Sequence, residues 1–322
     1  MDNNVGDIPI IQRDGDGKLE GGHTLATYTP WSPAELALVQ MWTEQGRDSA
    51  EIAAECAERG IARTQKAIQR LKARRGWHMK VPPSPVQLDK PPVMEGDALL
   101  LFDVHSPCHD ARWINRVVDL ALKWNVNKLG LGGDLVDFTA FSIFEKSDAY
   151  SVQEEIVVTE QIIKAFECAF DEIVYCNGNH EARLSRRTDW MLPVETAVRL
   201  FIRSGKTTFT RSYWFTLISG GEEFYIEHPA NTSVNQTIVP AKLAAKYQKH
   251  VIAGHGHLWG QGRDVSGQYW AIDAGVCADP DRIEYYQMRH STRPAMQQGA
   301  VIVRDGTPLL LSPHNIAAFE AM

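Results

Sequence analysis

The 322-residue chain has no apolar run long enough to cross a bilayer, so no membrane partner is expected. Its first twenty residues lack the charged-then-apolar order of a secretion signal and are polar and acidic instead, which makes a cytoplasmic protein the expectation. Cysteine is scarce and unpaired in pattern. Cys56, Cys108, Cys168, Cys176 and Cys277 are scattered, odd in number and form no CxxC, which argues against structural zinc or dithiol redox chemistry and leaves reduced, mostly buried thiols. What the chain does have is a 44% hydrophobic content, enough for a sizeable core and a further small domain.

Acidic residues are missing altogether from residues 59–80, although the whole chain carries a formal charge of −7. That stretch holds Arg59, Arg63, Lys66, Arg70, Lys72, Arg74, Arg75 and Lys80. Residues 1–29 are the opposite, rich in Asp, Asn and Gly without apolar periodicity, and a flexible tail is expected there. From Trp31 the pattern becomes helical. Ser32-Pro33-Ala34-Glu35 offers an N-cap serine, a proline at the first helical position and an acid in the first turn, and Leu36, Leu38, Val39 and Trp42 follow as an apolar stripe. A second helix is predicted over Ser49 to Glu58, with Ile52, Ala53 and Cys56 inward. A third is predicted from Thr64 to Arg75, with Ala67, Ile68 and Leu71 inward.

Through Trp31-Ser-Pro-Ala-Glu35, Glu51-Ile-Ala-Ala54 and Arg63-Thr-Gln-Lys-Ala-Ile68, this segment of about fifty residues resembles the Myb-like helix-turn-helix domains. The resemblance implies that Thr64, Gln65, Lys66, Gln69 and Arg70 face nucleic acid. Independently of it, the acid-free third helix suits phosphate contacts, for which Arg74 and Arg75 are further candidates. DNA is therefore the expected partner, against the plainer alternative of a solvated basic face. Five prolines between Val81 and Val93 favour an extended linker. The expected organisation is a tail over 1–29, a helix-turn-helix unit over 30–80, a proline-rich linker over 81–97 and a catalytic domain over 98–322.

Past the linker, strand and helix patterns alternate, and short polar motifs follow the apolar runs. Ala98 to Phe102 leads to Asp103-Val-His105, and Lys128 to Leu131 leads to Gly133-Asp134-Leu-Val-Asp137. Glu172 to Cys176 leads to Gly178-Asn179-His180-Glu181, Glu223 to Ile226 to His228, and His250 to Ala253 to Gly254-His255-Gly-His257. Ligands in α/β sheets gather at the carboxyl ends of strands, and five such placements in a row are hard to reconcile with chance. The Asp, Asn and His side chains are hard-to-borderline ligands for divalent metals, which points to hydrolysis.

DxH, GDxxD, GNH with a following acid, a separate His and GHxH together resemble the calcineurin-like metallophosphoesterase superfamily, from about Ala98 to at least Cys277. One local departure is that His228 precedes Pro229 where the family usually has Gly. The resemblance implies an α/β fold, a β-sandwich flanked by helices, here preceded by the small all-α unit. It implies that Asp103, His105 and His257 hold one metal, that Asn179, His228 and His255 hold a second, and that Asp134 bridges them. A bridging carboxylate offsets the repulsion of two cations roughly 3.5 to 4 Å apart. His180 would stabilise the transition state and protonate the leaving oxygen, with Asp137 as its partner or that of a metal-bound imidazole. Two divalent ions are expected, Mn²⁺ first, with Fe, Zn²⁺ or Mg²⁺ as alternatives.

Phe138-Thr139 after Asp137 replaces the Arg-Gly pair of the Ser/Thr protein phosphatases, so the first expectation is a DNA phosphodiesterase or nuclease tethered by its basic domain. The alternatives are a hydrolase of nucleotides or other small phosphoesters, which the acidic catalytic body favours, and a DNA-binding regulator whose phosphoesterase fold is not catalytic.

Overall fold

The computed structural model describes residues 30–77, 90–142, 150–203, 205–287 and 292–322. The expected tail over 1–29, Lys80 and most of the proline-rich stretch lie outside the described residues. The chain divides into two compact units, Met1–Leu88 and Asp89–Met322.

In the first unit, three helices enclose a small core. Helix α1 (Pro33–Glu44) starts where Ser32 and Glu35 exchange side-chain to backbone hydrogen bonds. Asp48 and Glu51 do the same for α2 (Ser49–Glu58). The Thr64 hydroxyl caps α3 (Gln65–Arg75), which ends at Gly76 in the left-handed conformation that glycine adopts without strain. Val39, Trp42, Ile52, Cys56, Ile68 and Leu71 interlock in the centre, and Trp31 and Trp77 pack at the margin.

Among the described residues, the second unit has twelve strands: β1 (Val93–Glu95), β2 (Ala98–Leu101), β3 (Lys128–Leu131), β4 (Glu172–Cys176), β5 (Thr207–Thr210), β6 (Trp214–Ser219), β7 (Glu222–Glu227), β8 (His250–Ala253), β9 (Trp259–Arg263), β10 (Trp270–Ala274), β11 (Ala300–Arg304) and β12 (Thr307–Leu311). They make two six-stranded sheets, in the orders β1-β6-β7-β8-β10-β9 and β12-β11-β2-β3-β4-β5. Val93–Glu95 lies within the stretch expected as linker, yet it pairs in parallel with β6 and begins the first sheet.

Alternation along the strands builds two cores at once. Leu100 on β2, Val174 on β4, Phe215 and Leu217 on β6, Ile252 on β8 and Ile272 on β10 meet between the sheets. Burying each large apolar side chain there contributes roughly 1.5–3 kcal/mol. Gly130 permits the close approach, because a Cβ at that position would lie 2.5 Å from Leu100 and 2.7 Å from Phe215. Leu99, Leu101, Leu129, Leu131 and Ile173 turn the other way and pack against helices α4 (Ala111–Lys123) and α5 (Val152–Ala169). On the far side of the other sheet, Ala244 and Leu243 of a helix over Ile238–Tyr247 cover Val251 and Ala253. The result is a β-sandwich with helices on its outer faces.

Candidate metal centre

Strands β2, β3 and β4 run parallel, as do β7 and β8, so their carboxyl ends gather on one rim. The motif residues follow those ends. A hydrogen bond from the His255 backbone N–H to Asp103 Oδ2, 2.8 Å, ties the rim of one sheet to that of the other. Asp103, His105, Asp134, His255 and His257 all have φ between 48° and 66°. Residues with a Cβ seldom occupy this left-handed region, and five such residues in one cluster mark a rim held in strain by its surroundings.

Two groups of donor atoms result at the motif ends, and a third, His105, Asp137 and His180, shares His105 with one of them. In one, Asp103, His105 and His257 converge, with the Nε2 atoms of His105 and His257 3.1 Å apart and Asp103 Oδ1 3.3 Å from His257 Nε2. His105 Nδ1 faces the Asp137 carboxylate at 3.1 Å and so carries the ring proton, leaving Nε2 as a lone pair aimed into the group. In the other, Asp134, His228 and His255 converge, and Asn179 Oδ1 lies 3.0 Å from His228 Nε2. His228 Nδ1 faces the Gly132 carbonyl at 3.0 Å, which again turns Nε2 toward the carboxylate of Asp134, 3.3 Å away. Asp103 Oδ1 and Asp134 Oδ2 are buried without a hydrogen-bond partner. Buried carboxylate oxygens are costly to leave unmatched, and here the groups facing both are imidazole nitrogens 3.3 Å away. This donor set fits two divalent cations, one in each group, with Asp134 belonging to the second.

Electrostatics sharpen the picture. Burial opposes ionisation of Asp134, but the surrounding imidazoles, His180 and His228 foremost, hold its carboxyl well below the usual range. Burial likewise opposes charge on His228, and Asp134 outweighs it, raising that imidazole to about 9. Burial and the neighbouring His228 push His255 down to about 4, so it is a neutral ligand at physiological pH.

His180 adjoins both groups, with its ring 4.5 Å from that of His105 and its Nε2 3.7 Å from Asp134 Oδ2. Its Nδ1 lies 2.6 Å from Asp137 Oδ1, and its Nε2 faces the Arg183 guanidinium at 2.9 Å. Burial depresses its pKa, so the ring is neutral with its proton on Nδ1. Asp137 therefore orients His105 and His180 together. Arg183 also donates to the Asp137 carbonyl at 2.7 Å, whereas Arg187 is committed to the Phe141 and Ser142 carbonyls. Glu181 plays a different part from Asp137. Its carboxyl is buried, accepts from the backbone N–H groups of Asp134 and Leu135 and from the Tyr175 hydroxyl, and is raised to about 7 by burial and by Asp134.

A cavity of about 480 Å³ opens over the cluster, lined by His180, Arg183, Thr232, Tyr286, Arg293 and Met296 among others. Arg293 donates to the Thr232 hydroxyl at 2.8 Å. No local motif announces Thr232, Tyr286 or Arg293, which arrive from two loops and a short helix distant in sequence.

In the helical unit, Thr64, Gln65, Lys66, Gln69, Arg70, Arg74 and Arg75 are all exposed, with the Thr64 hydroxyl engaged as the helix cap. Arg63 is not on that surface, being paired with Glu35 at 2.8 Å and stacked on Trp31.

No protein-family profile matches the sequence, and no curated protein matches it. Among solved structures the chain is similar to Yfce, a phosphoesterase from E. coli, at 11% identity over 67% of this chain and 98% of that one, with a TM-score of 0.35. It is also similar to Vps29 from Chaetomium thermophilum (9% identity, 68% and 94% covered, TM-score 0.37) and to a dimetal phosphatase from Danio rerio (11%, 67% and 98%, 0.34). At that level of likeness, the functional reading rests on the chain's own atoms.

Proposed function

We propose that the chain is a dinuclear-metal-dependent phosphoester hydrolase. The observation that carries the reading is the pair of buried carboxylate oxygens, Asp103 Oδ1 and Asp134 Oδ2, each without a well-aligned hydrogen bond and each grouped with imidazole nitrogens beside an open cavity. Asp103, His105 and His257 would hold one ion, Asn179, His228 and His255 the other, and Asp134 would serve both. Mn²⁺ is the metal proposed first. When bound, such a pair supplies Lewis acidity toward phosphoryl oxygen and lowers the pKa of water.

The protein's own groups do the rest. Arg183 brings a fixed positive charge to the cavity wall, where negative charge grows on the phosphoryl oxygens. His180 keeps Nδ1–H on Asp137, so Nε2, once Arg183 turns its N–H from it toward substrate, is the ring position that would take the proton released by the attacking water and give it to the leaving oxygen. The arrangement between Asp137 and the two imidazoles fixes which nitrogen does each task.

The substrate proposed first is DNA, cleaved as a phosphodiester, with the helical unit acting as a DNA-binding helix-turn-helix tether. Lys66, Arg70, Arg74 and Arg75, exposed on one short helix, support this part of the reading. The acidic character of the chain favours a second reading, hydrolysis of nucleotides or other small phosphoesters. Hydrolysis of bis-p-nitrophenyl phosphate by chelator-stripped protein resupplied with Mn²⁺ tests the enzyme. Turnover that disappears in Asp134→Ala and His180→Ala is expected, and no turnover with any divalent metal would refute it. Comparison of duplex, single-stranded and nicked DNA, with and without residues 1–80, separates the two substrates, and equal DNA cleavage after truncation would remove the tether.

A further inference from the structure

Asp137 is held from behind by residues outside every metal-ligand motif. Its Oδ1 faces the Nδ1 atoms of His105 and His180, while its Oδ2 accepts from the Thr139 hydroxyl. Thr139 is held in turn, because its backbone N–H donates to Glu155 Oε1 at 2.8 Å. Glu155 sits in the first turns of α5, is completely buried, and has no hydrogen-bond partner on Oε2. Between Asp137 and Thr139 the chain passes through Phe138, whose φ of 50° is a strained value for an aromatic residue. The Phe138 ring is buried against Phe141 and Phe201, which keeps that bend in place. A buried acid is an expensive way to secure one backbone N–H on a turn, and a core helix has no packing need for it.

We propose that Glu155 is a positioning residue for the reaction, acting through Thr139 and Asp137 on the two imidazoles of His105 and His180. The proposal rests on the phosphoesterase reading. Glu155 touches neither the cavity nor the metal ligands. It fixes the turn that aims the Thr139 hydroxyl at Asp137 Oδ2, so that Oδ1 alone is presented to both rings. Without that hold, the carboxylate can rotate, and the Nδ1 protons of His105 and His180 lose their common carboxylate oxygen, leaving His180 only the Asp137 carbonyl at 3.1 Å. The orientation of imidazoles by such outlying partners typically matters by about 10- to 100-fold in activity or metal affinity.

The test compares Glu155→Ala, Glu155→Gln and Thr139→Val in the full chain. Two readouts are taken: the imidazole N–H resonances of His105 and His180 by NMR on Zn²⁺-loaded and metal-free protein, and kcat and KM toward bis-p-nitrophenyl phosphate with Mn²⁺. The expected result is that Glu155→Ala and Thr139→Val shift or broaden both imidazole resonances and lower kcat by about 10-fold or more at nearly constant KM. Glu155→Gln, whose amide oxygen can accept from Thr139, is expected to restore both. Unmoved resonances in Glu155→Ala would overturn the proposal, as would equal losses in the Ala and Gln variants with unmoved resonances, which would make Glu155 a core residue only. If wild-type protein hydrolyses nothing, the phosphoesterase reading fails, and the resonances still decide whether Glu155 orients the rings.

Discussion

His228 aims Nε2 at Asp134 Oδ2 from 3.3 Å, with its Nδ1 committed to the Gly132 carbonyl. In the metal-free protein a proton at Nε2 answers the carboxylate, which is why the imidazole is raised to about 9. A divalent cation competes for the same position, so metal binding should displace that proton and stabilise the fold. At a metal concentration 100 times the dissociation constant, the gain is about 3 kcal/mol per site. Differential scanning calorimetry of stripped and Mn²⁺-resupplied protein checks this. A higher unfolding temperature with Mn²⁺ is predicted for wild type and a much smaller shift for Asp134→Ala.

The glycines of the motifs are predicted to differ sharply. A Cβ on Gly178 would lie 2.2 Å from Asp134 Oδ1 and 2.5 Å from Glu181 Oε2, whereas a Cβ on Gly256 would meet nothing nearer than 3.9 Å. Gly178→Ala should therefore cost about 1–3 kcal/mol through forced displacement of Asp134, together with loss of hydrolysis. Gly256→Ala, although flanked by His255 and His257, should leave urea unfolding within about 0.5 kcal/mol of wild type.

Glu155 gives the protein a pH dependence of definite sign. Burial foremost raises its carboxyl from 4.5 to about 7. The folded state thus holds this proton more tightly than the unfolded chain does. The associated stability is complete below pH 4.5 and is lost as pH rises through 7, by an amount on the order of 3 kcal/mol. Glu155→Gln cannot ionise. Chemical denaturation at pH 5 and pH 8 should show wild type losing stability relative to Glu155→Gln across that interval, and a difference that does not change with pH would place the carboxyl in an ordinary environment.

On the helical unit, Arg70, Arg74 and Arg75 are exposed and spaced along one helix. If they contact phosphates, replacing each with Ala should weaken DNA binding and reduce the slope of log K against log salt by about 0.9. Fluorescence anisotropy at several salt concentrations measures both. An unaltered slope in the triple variant would assign the basic face to solvent. Arg63→Ala should behave differently, destabilising the unit, because Arg63 is spent on Glu35 and Trp31.

Local chemistry made much of this legible before any coordinates. Strand β3 and its following Gly133-Asp134, helix α1 and strands β4 and β8 carry their signals within a few residues: an apolar run, an N-cap serine with a following proline and acid, or a polar motif at the run's end. The candidate ligands stood out for the same reason, since Asp103, His105, Asn179 and His255 each sit in a short motif at a strand end. Val93–Glu95 was hidden by its prolines, because a three-residue edge strand gains its pairing from β6, more than a hundred residues away. Glu155 and Arg293 were hidden too. Each matters through a partner on another loop, Thr139 or Thr232, and no spacing along the chain records that meeting. Glu181 resembles Asp137 as an acid after a motif, but burial and three backbone and hydroxyl donors make it a brace for the Asp134 turn.

The central claim is that this cluster holds two ions through one shared carboxylate. Isothermal titration of stripped protein with Mn²⁺, with the bound metal counted by elemental analysis, tests it most directly. Two ions per wild-type chain, one in His228→Ala and no tight binding in Asp134→Ala are predicted. Binding of no metal by wild type, or of two ions by Asp134→Ala, would contradict it.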